Sequence, residues 1–216
     1  DMTDLSIRLS KCYSSAIHDV LREMDFGNCV LPPEIQALER GQKLAGEIFT
    51  ISGHIDQTLS RHESLLLWSQ VLSKVPGEKV LICQPNTHAI ALMGELSARA
   101  LMVKGVKGYL MDGHCRDVEE ILEAKFPVFC RSFTPADIVE RWKYDSLGEP
   151  ITIGTVTIRS GDYIIADMDG AVIIPKHVIE EVLNKTEQVM STESEMRSAI
   201  LNGMDPEKAY LKFGKF

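Results

Sequence analysis

The chain has 216 residues, enough to bury most of its unfolded surface around one core without staples. It is 44% hydrophobic and 25% charged, with a net charge of −8 and no extended Lys/Arg cluster, which argues against a nucleic-acid-binding surface. Five cysteines, Cys12, Cys29, Cys83, Cys115 and Cys130, form no C-x-x-C pair, which argues against a disulfide framework or zinc site and fits a reducing cytoplasm.

Leu9, Tyr13, Ala16, Ile17, Val20, Leu21 and Met24 recur at helical spacing, which predicts one amphipathic helix over residues 8 to 24, closed by Gly27-Asn28. Leu44 to Ser52 alternates as a strand. Arg61 to Val75 reads as a helix carrying Leu65, Leu66, Trp68, Leu72 and Val75. Pro76-Gly77 makes a turn into a buried strand, Lys79 to Cys83. The helical pattern from His88 to Val103 is interrupted at Gly94-Glu95, and the helix is expected to begin there because an internal glycine costs about 1 kcal/mol.

Tyr109 to Met111 reads as a short buried strand, followed by a tight turn at Asp112-Gly113 and a new helix opening at Arg116-Asp117. Pro127 to Cys130 is the next strand, and Pro135 to Trp142 is predicted as a short helix capped by Thr134. From Ile151 the period changes to two, through Ile153, Val156, Ile158, Tyr163 to Ala166 and Ala171 to Ile174. This reads as a meander with Gly154, Gly161 and Gly170 at its turns. His177 to Leu201 forms a long helix and Pro206 to Phe213 a terminal one. No stretch is apolar and long enough to span a membrane, and the start, Asp1-Met2-Thr3-Asp4, lacks a signal-peptide core, so a cytoplasmic protein without a membrane partner is expected. The pattern alone indicates one mixed α/β domain over residues 1–216, topology open.

The stretch from Gly94 to Glu120 carries the chemistry. Arg116-Asp117 falls just past the carboxyl end of a strand, where open α/β sheets bind ligands. The expected helix start at Glu95, Leu96, Ser97 and Ala98 would offer unpaired amides to an anion beside it. Read from the residues alone, Asp117 is either an N-cap or a cation ligand, and Arg116 either an anion clamp or a solvated neighbour. There is no dinucleotide fingerprint, P-loop, H-E-x-x-H or G-x-S-x-G.

Glu95, twenty intervening residues, Arg116-Asp117, two more residues and Glu120 resemble the signature of the RraA-like family. That family contains class II 4-hydroxy-4-methyl-2-oxoglutarate/4-carboxy-4-hydroxy-2-oxoadipate aldolases and the regulator of RNase E activity. A second block from Ile153 to Pro175, IGTVTIRSGDYIIADMDGAVIIP, resembles the family's "GGVTVxPGDxxxADxDGVVVxP". The resemblance runs from about Leu9 to Gly214. It implies a β/β/α sandwich like the swivelling phosphohistidine domain, assembled as a homotrimer or hexamer with sites between subunits. The C-terminal helices, from about residue 176, would pack on the core or on a neighbouring subunit.

The resemblance also implies roles. Arg116 would hold a 2-oxo acid substrate and stabilise an enolate, with Gly94, Glu95, Leu96, Ser97 and Ala98 lining the carboxylate site. Asp117 would be the direct ligand of a divalent cation, Mg2+ first, with Mn2+ or Co2+ as alternatives. Glu95 and Glu120 would act through metal-bound waters. His114 and Cys115 stand where the family usually carries small residues: adjacency to Arg116 could depress the Cys115 thiol, but without a partner base Cys115 is not read as a nucleophile, and His114 could line the substrate pocket and alter specificity. Asp112, Asp162, Asp167 and Asp169 read as turn-forming carboxylates. The leading expectation is a metal-dependent lyase releasing pyruvate from a 4-hydroxy-2-oxo acid, with oxaloacetate decarboxylation as a side activity. The rivals are a non-enzymatic regulator of a ribonuclease and a decarboxylase or isomerase of a sugar-derived acid.

Overall fold

The computed structural model describes residues 2–216, with side chains from Asp4 onward. In chain order it contains helices α1 (Met2–Ser10) and α2 (Ser14–Glu23), strands β1 (Gln36–Ala37) and β2 (Leu44–Ile55), helix α3 (Arg61–Lys74), strand β3 (Val80–Gln84) and helix α4 (Glu95–Lys104). Strands β4 (Gly108–Met111) and β5 (His114–Cys115), helix α5 (Val118–Ala124), and strands β6 (Val128–Cys130), β7 (Ser132–Phe133) and β8 (Trp142–Leu147) follow. Strands β9 (Ile151–Ile153), β10 (Val156–Ile158), β11 (Tyr163–Asp167) and β12 (Gly170–Ile174) come next, then a turn of 3-10 helix, α6 (Ile179–Leu201) and α7 (Pro206–Phe213).

The main sheet runs β1-β6-β4-β3-β2-β11-β12, with β2, β3, β4 and β6 parallel and the outer strands antiparallel. Strand β2 spans both ends of it: Leu44–Glu47 pair with β11, while Ile51–Ile55 pair with β8 on the same edge. The ladder slips between Ser52 and Gly53. A Cβ at Gly53 would stand 2.1 Å from the Trp142 ring and 2.4 Å from the Lys143 carbonyl, so only glycine admits β8 there.

The parallel strands are apolar on both faces, as a sheet covered on both sides requires. Leu81, Cys83, Tyr109, Met111, Val128 and Cys130 point to one face and pack with Val71 of α3, Val75 just after it, Ala98 and Leu101 of α4, and Ile121 of α5. Val80, Ile82, Leu110 and Phe129 point to the other, under Ile151, Ile153, Val156 and Ile158 of the β9–β10 hairpin. Hairpin, sheet and helices form the expected β/β/α layers. A third cluster joins α1, α2 and the start of α6 to β11 and β12, so α6 packs on the core, and α7 packs on the far half of α6. Among the described residues, no helix is long and apolar enough to cross a membrane.

Three expectations need correction. The helix over 8 to 24 is two helices, because Asp167 reaches in from β11 and accepts the Ser14 N–H at 2.7 Å and its hydroxyl at 2.6 Å. That external carboxylate satisfies a fresh helix start, and Tyr13 is extended to reach it. Residues 135–142 do not form a helix. Asp137 turns back on the Val139 N–H, Glu140 takes a left-handed conformation (φ 62°), and Trp142 opens β8 with its indole N–H on the Pro85 carbonyl. Burying Trp142 there outweighs helix propensity. The period-two region is two separate hairpins rather than one meander, only β11–β12 joining the main sheet.

Candidate active site

The carboxyl ends of β3, β4 and β6 lead into three segments that run side by side. Ala91 bridges His114 and donates its N–H to Ala136 O at 2.8 Å. Leu92 N–H bonds His114 O, Arg116 N–H bonds Met93 O, and Thr134 N–H bonds Cys115 O, each at 3.0 Å. Strands β5 and β7 pair in parallel between them, where a helix was expected to begin directly after the Asp112-Gly113 turn. This small second sheet fixes the backbone of Arg116. Helix α4 begins at Glu95, as the Gly94 interruption predicted.

The segments enclose a cleft of about 320 Å3 between α3, the start of α4, Arg116-Asp117 and the 137–139 loop. Gly94, Glu95, Leu96, Ser97, Arg116 and Asp117 all line it; Ala98 is buried in the helix behind. Glu120 is exposed on α5 and is not part of the cleft wall.

Asp117 does not cap its own helix. It stands in the left-handed region (φ 54°, ψ 39°), and its Oδ2 accepts the Glu95 N–H at 2.9 Å, closing the start of α4 instead. Gly94 makes that approach possible, since a Cβ there would lie 2.9 Å from Asp117 Oδ2 and 3.3 Å from Arg116 Cγ. Of the four amides expected to bind an anion, Glu95 is thus taken by Asp117 and Ala98 by the Gly94 carbonyl. Leu96 and Ser97 keep theirs free of partners among the described residues. The Glu95 carboxylate accepts from Arg99 Nε, one turn on, at 2.7 Å.

Arg116 sits between two carboxylates, its Nε 3.6 Å from Asp117 Oδ1 and its guanidinium 3.4 Å from Asp137 Oδ2. Both distances exceed a hydrogen bond, and the buried Nε–H has no acceptor. The guanidinium is held by charge while its donor remains unspent. Arg116 and Asp117 also line a second cavity of about 280 Å3, shared with Phe133 to Pro135.

Other expectations are corrected at closer range. Cys115 is buried, and burial pushes its thiol up rather than the neighbouring guanidinium pulling it down. His114 is absent from the cleft lining; its Nδ1 is buried without a partner and its ring lies edge-on to His88 at 5.8 Å. Asp112 is a buried ion-pair partner: Arg131 and Gln84 bond its carboxylate, and His88 Nε2 stands 3.5 Å away. Burial raises its pKa, but the bonds and charge of Arg131 with the Gln84 bond outweigh that and hold it below the usual 3.8. Asp162 and Asp167 bond backbone N–H groups as expected of turn carboxylates.

Asp137 belongs to the site although it lies in residues 135–142, expected to be helical; the Pro135-x-Asp137 spacing is a turn signal that marks it. Trp68, expected only to pack its helix, belongs to the site as well. Trp68 lines the cleft, donating its indole N–H to Ser97 Oγ at 2.9 Å and meeting Trp142 edge-on at 5.9 Å.

No group of three or more His, Cys, Asp or Glu converges among the described residues, so there is no cage for a structural metal. The donor set does suit a hard cation that keeps most of its waters, because Asp117 lines the cleft and its Oδ1 is uncommitted by any hydrogen bond.

The family description RraA-like, aldolase/RraA, matches residues 14–173. The chain belongs to the RraA-like family. It is 30% identical over 96% of its length to "Protein DlpA" of Legionella pneumophila, spanning about a third (33%) of that longer protein. It is 26% identical over 84% of its length to a Halalkalibacterium halodurans protein named "Putative 4-hydroxy-4-methyl-2-oxoglutarate aldolase", of which it covers 83%. Its fold matches that of Streptomyces coelicolor RraAS2, described as an unusual member of the RNase ES inhibitor RraA family. The TM-score is 0.79 at 24% identity, over 90% of this chain and 96% of that one. The RraA-like fold therefore accounts for the β/β/α layering, and α6 and α7 lie beyond the matched family region.

Proposed function

We propose that this RraA-like chain is a divalent-metal-dependent carbon–carbon lyase that cleaves a 4-hydroxy-2-oxo acid and releases pyruvate. The observation that carries this reading is the unspent donor of Arg116, buried at its Nε, beside two free helix-start amides in one cleft. A substrate carboxylate fits the Leu96 and Ser97 N–H groups, at the positive end of α4. Arg116 then faces the 2-keto oxygen. As the C3–C4 bond breaks, its electron pair moves to C3 and charge grows on that oxygen, where a fixed guanidinium acts most strongly.

The Asp117 carboxylate would hold Mg2+, which when bound polarises the 2-keto group as a Lewis acid. With Glu95 tied to Arg99 and Asp117 assigned to the cation, Asp137 Oδ2 is the cleft carboxylate oxygen left to receive the 4-hydroxyl proton, while its Oδ1 accepts the Val139 N–H. Protonation of the enolate at C3 completes pyruvate. Oxaloacetate decarboxylation would pass through the same enolate. The assembly that accompanies this reading is a homotrimer or hexamer, which light scattering would establish.

The test is pyruvate release from a panel of 4-hydroxy-2-oxo acids and oxaloacetate, with Mg2+ and with EDTA. Release that EDTA abolishes supports the reading. Its absence from every substrate would favour a protein-binding regulator.

A further inference from the structure

At the amino ends of β3 and β4, the opposite end of the sheet from the cleft, three lysines far apart in the sequence gather around one buried carboxylate. Glu47 on β2 pairs with Lys79, which directly precedes β3; their side chains are 9% and 26% exposed. Lys107 directly precedes β4 and donates its backbone N–H to the Lys79 carbonyl at 2.9 Å. Its ammonium lies against β2, where a Cβ at Gly46 would stand 3.4 Å from Lys107 Nζ. Lys176 follows β12 and lies against Gly161, where a Cβ would stand 3.8 Å from Lys176 Nζ. Gly161 in turn donates its N–H to the carbonyl of Ile48, next to Glu47, at 2.9 Å. Asp162 spends its two oxygens on the backbone N–H groups of Arg159 and Lys176, at 3.0 and 2.9 Å. Among the described residues, the Lys107 and Lys176 ammoniums have no hydrogen-bond or ion-pair partner. Burial, and then the charges of Lys107 and Lys176, lower the Lys79 pKa.

Two unpaired ammoniums beside a third, in a chain of net charge −8, make a local positive field that a dianion would neutralise. Lysine suits phosphate, which it holds as a point charge without imposing a planar geometry. Glu47 is buried and Lys79 and Lys107 are half-buried, so the charge is concentrated on a small area rather than spread along a face as a nucleic-acid track requires. We infer that Lys79, Lys107 and Lys176 bind the phosphate group of a small molecule, at a site separate from the cleft. None of the three lines the cleft, and the inference does not depend on the lyase reading.

The experiment is calorimetric titration with inorganic phosphate at neutral pH and low salt, on wild type, Lys107→Gln, Lys176→Gln and, as a control, Lys208→Gln on α7. Wild type should saturate with a Kd of about 1 mM, the scale of a few charge-assisted bonds. Lys107→Gln and Lys176→Gln should each weaken binding about tenfold, the scale of one such bond, while Lys208→Gln binds as wild type does. Neither cluster residue has a partner to lose, so both variants should melt close to wild type; two are used so that a folding defect in one does not decide the matter. Three results overturn the inference: no saturable phosphate binding by wild type, folded cluster variants that bind as wild type does, or an equal loss in Lys208→Gln. A wild type that ignores phosphate but binds a single-stranded RNA oligonucleotide, with Lys107→Gln and Lys176→Gln weakening it, also overturns it in favour of a nucleic-acid contact.

Discussion

Arg116 stands 3.4 Å from Asp137 and 3.6 Å from Asp117, with its side chain 35% exposed. Ion pairs that long and that open contribute about 0–1 kcal/mol to stability. For a chain of this size that is a Tm change of about 2–4 °C at most. The same side chain has a buried Nε–H without a hydrogen-bond partner among the described residues. Arg116→Ala should therefore leave the fold nearly intact and lower kcat by about 10²–10³, the scale of one oxyanion donor. Arg116→Lys should recover only part, since an ammonium is a point charge and cannot present two parallel donors. The assay is kcat and KM for pyruvate release on the best panel substrate with Mg2+, alongside thermal melts of all three proteins. Unchanged kcat in both variants, with normal melts, would refute the catalytic role and leave Arg116 an ion-pair partner.

Asp117→Asn keeps an acceptor for the Glu95 N–H but loses the charge, so the melt should move by less than about 1 kcal/mol while Mg2+ binding by calorimetry and turnover both disappear. Retained Mg2+ binding in that variant would remove Asp117 as the ligand. Gly94→Ala places a methyl 2.9 Å from Asp117 Oδ2, so it should displace that carboxylate, weaken Mg2+ binding and lower turnover in a folded protein; wild-type kinetics would refute the close packing. Asp112 has a folded pKa below its unfolded one, so its stabilising contribution is complete above pH 4 or so and is lost as pH falls through the lower folded value. In urea melts from pH 7 to pH 3, the stability gap between wild type and Asp112→Asn should narrow in acid, and a constant gap would contradict the depressed pKa.

Where side-chain period and chain punctuation agree, the sequence was legible. The two-face apolar strands around Ile82, Leu110 and Phe129, the start of α4 at Gly94-Glu95, and the helices from Ile179 and Pro206 are local signals that the tertiary structure leaves alone. It was illegible where a distant group decides. Asp167 splits the first helix from more than a hundred residues away. Trp142 converts an apparent helix into β8 because its ring has a place between Gly53 and Trp68. The same holds at the site. Resemblance located Arg116 and Asp117, but not Asp137, whose contribution depends on that misread segment. Nor could it indicate that two of the four α4 amides were already used.

That last point ties the site together. One carboxylate serves two neighbours, with Asp117 Oδ2 closing the start of α4 and Oδ1 turned toward Arg116. The left-handed backbone at Asp117 and the missing side chain at Gly94 are what let it reach both. A change at either residue therefore alters the helix start, the guanidinium's surroundings and the proposed cation ligand together. Gly94 and Asp117 are in contact, so their effects on turnover should be far from additive.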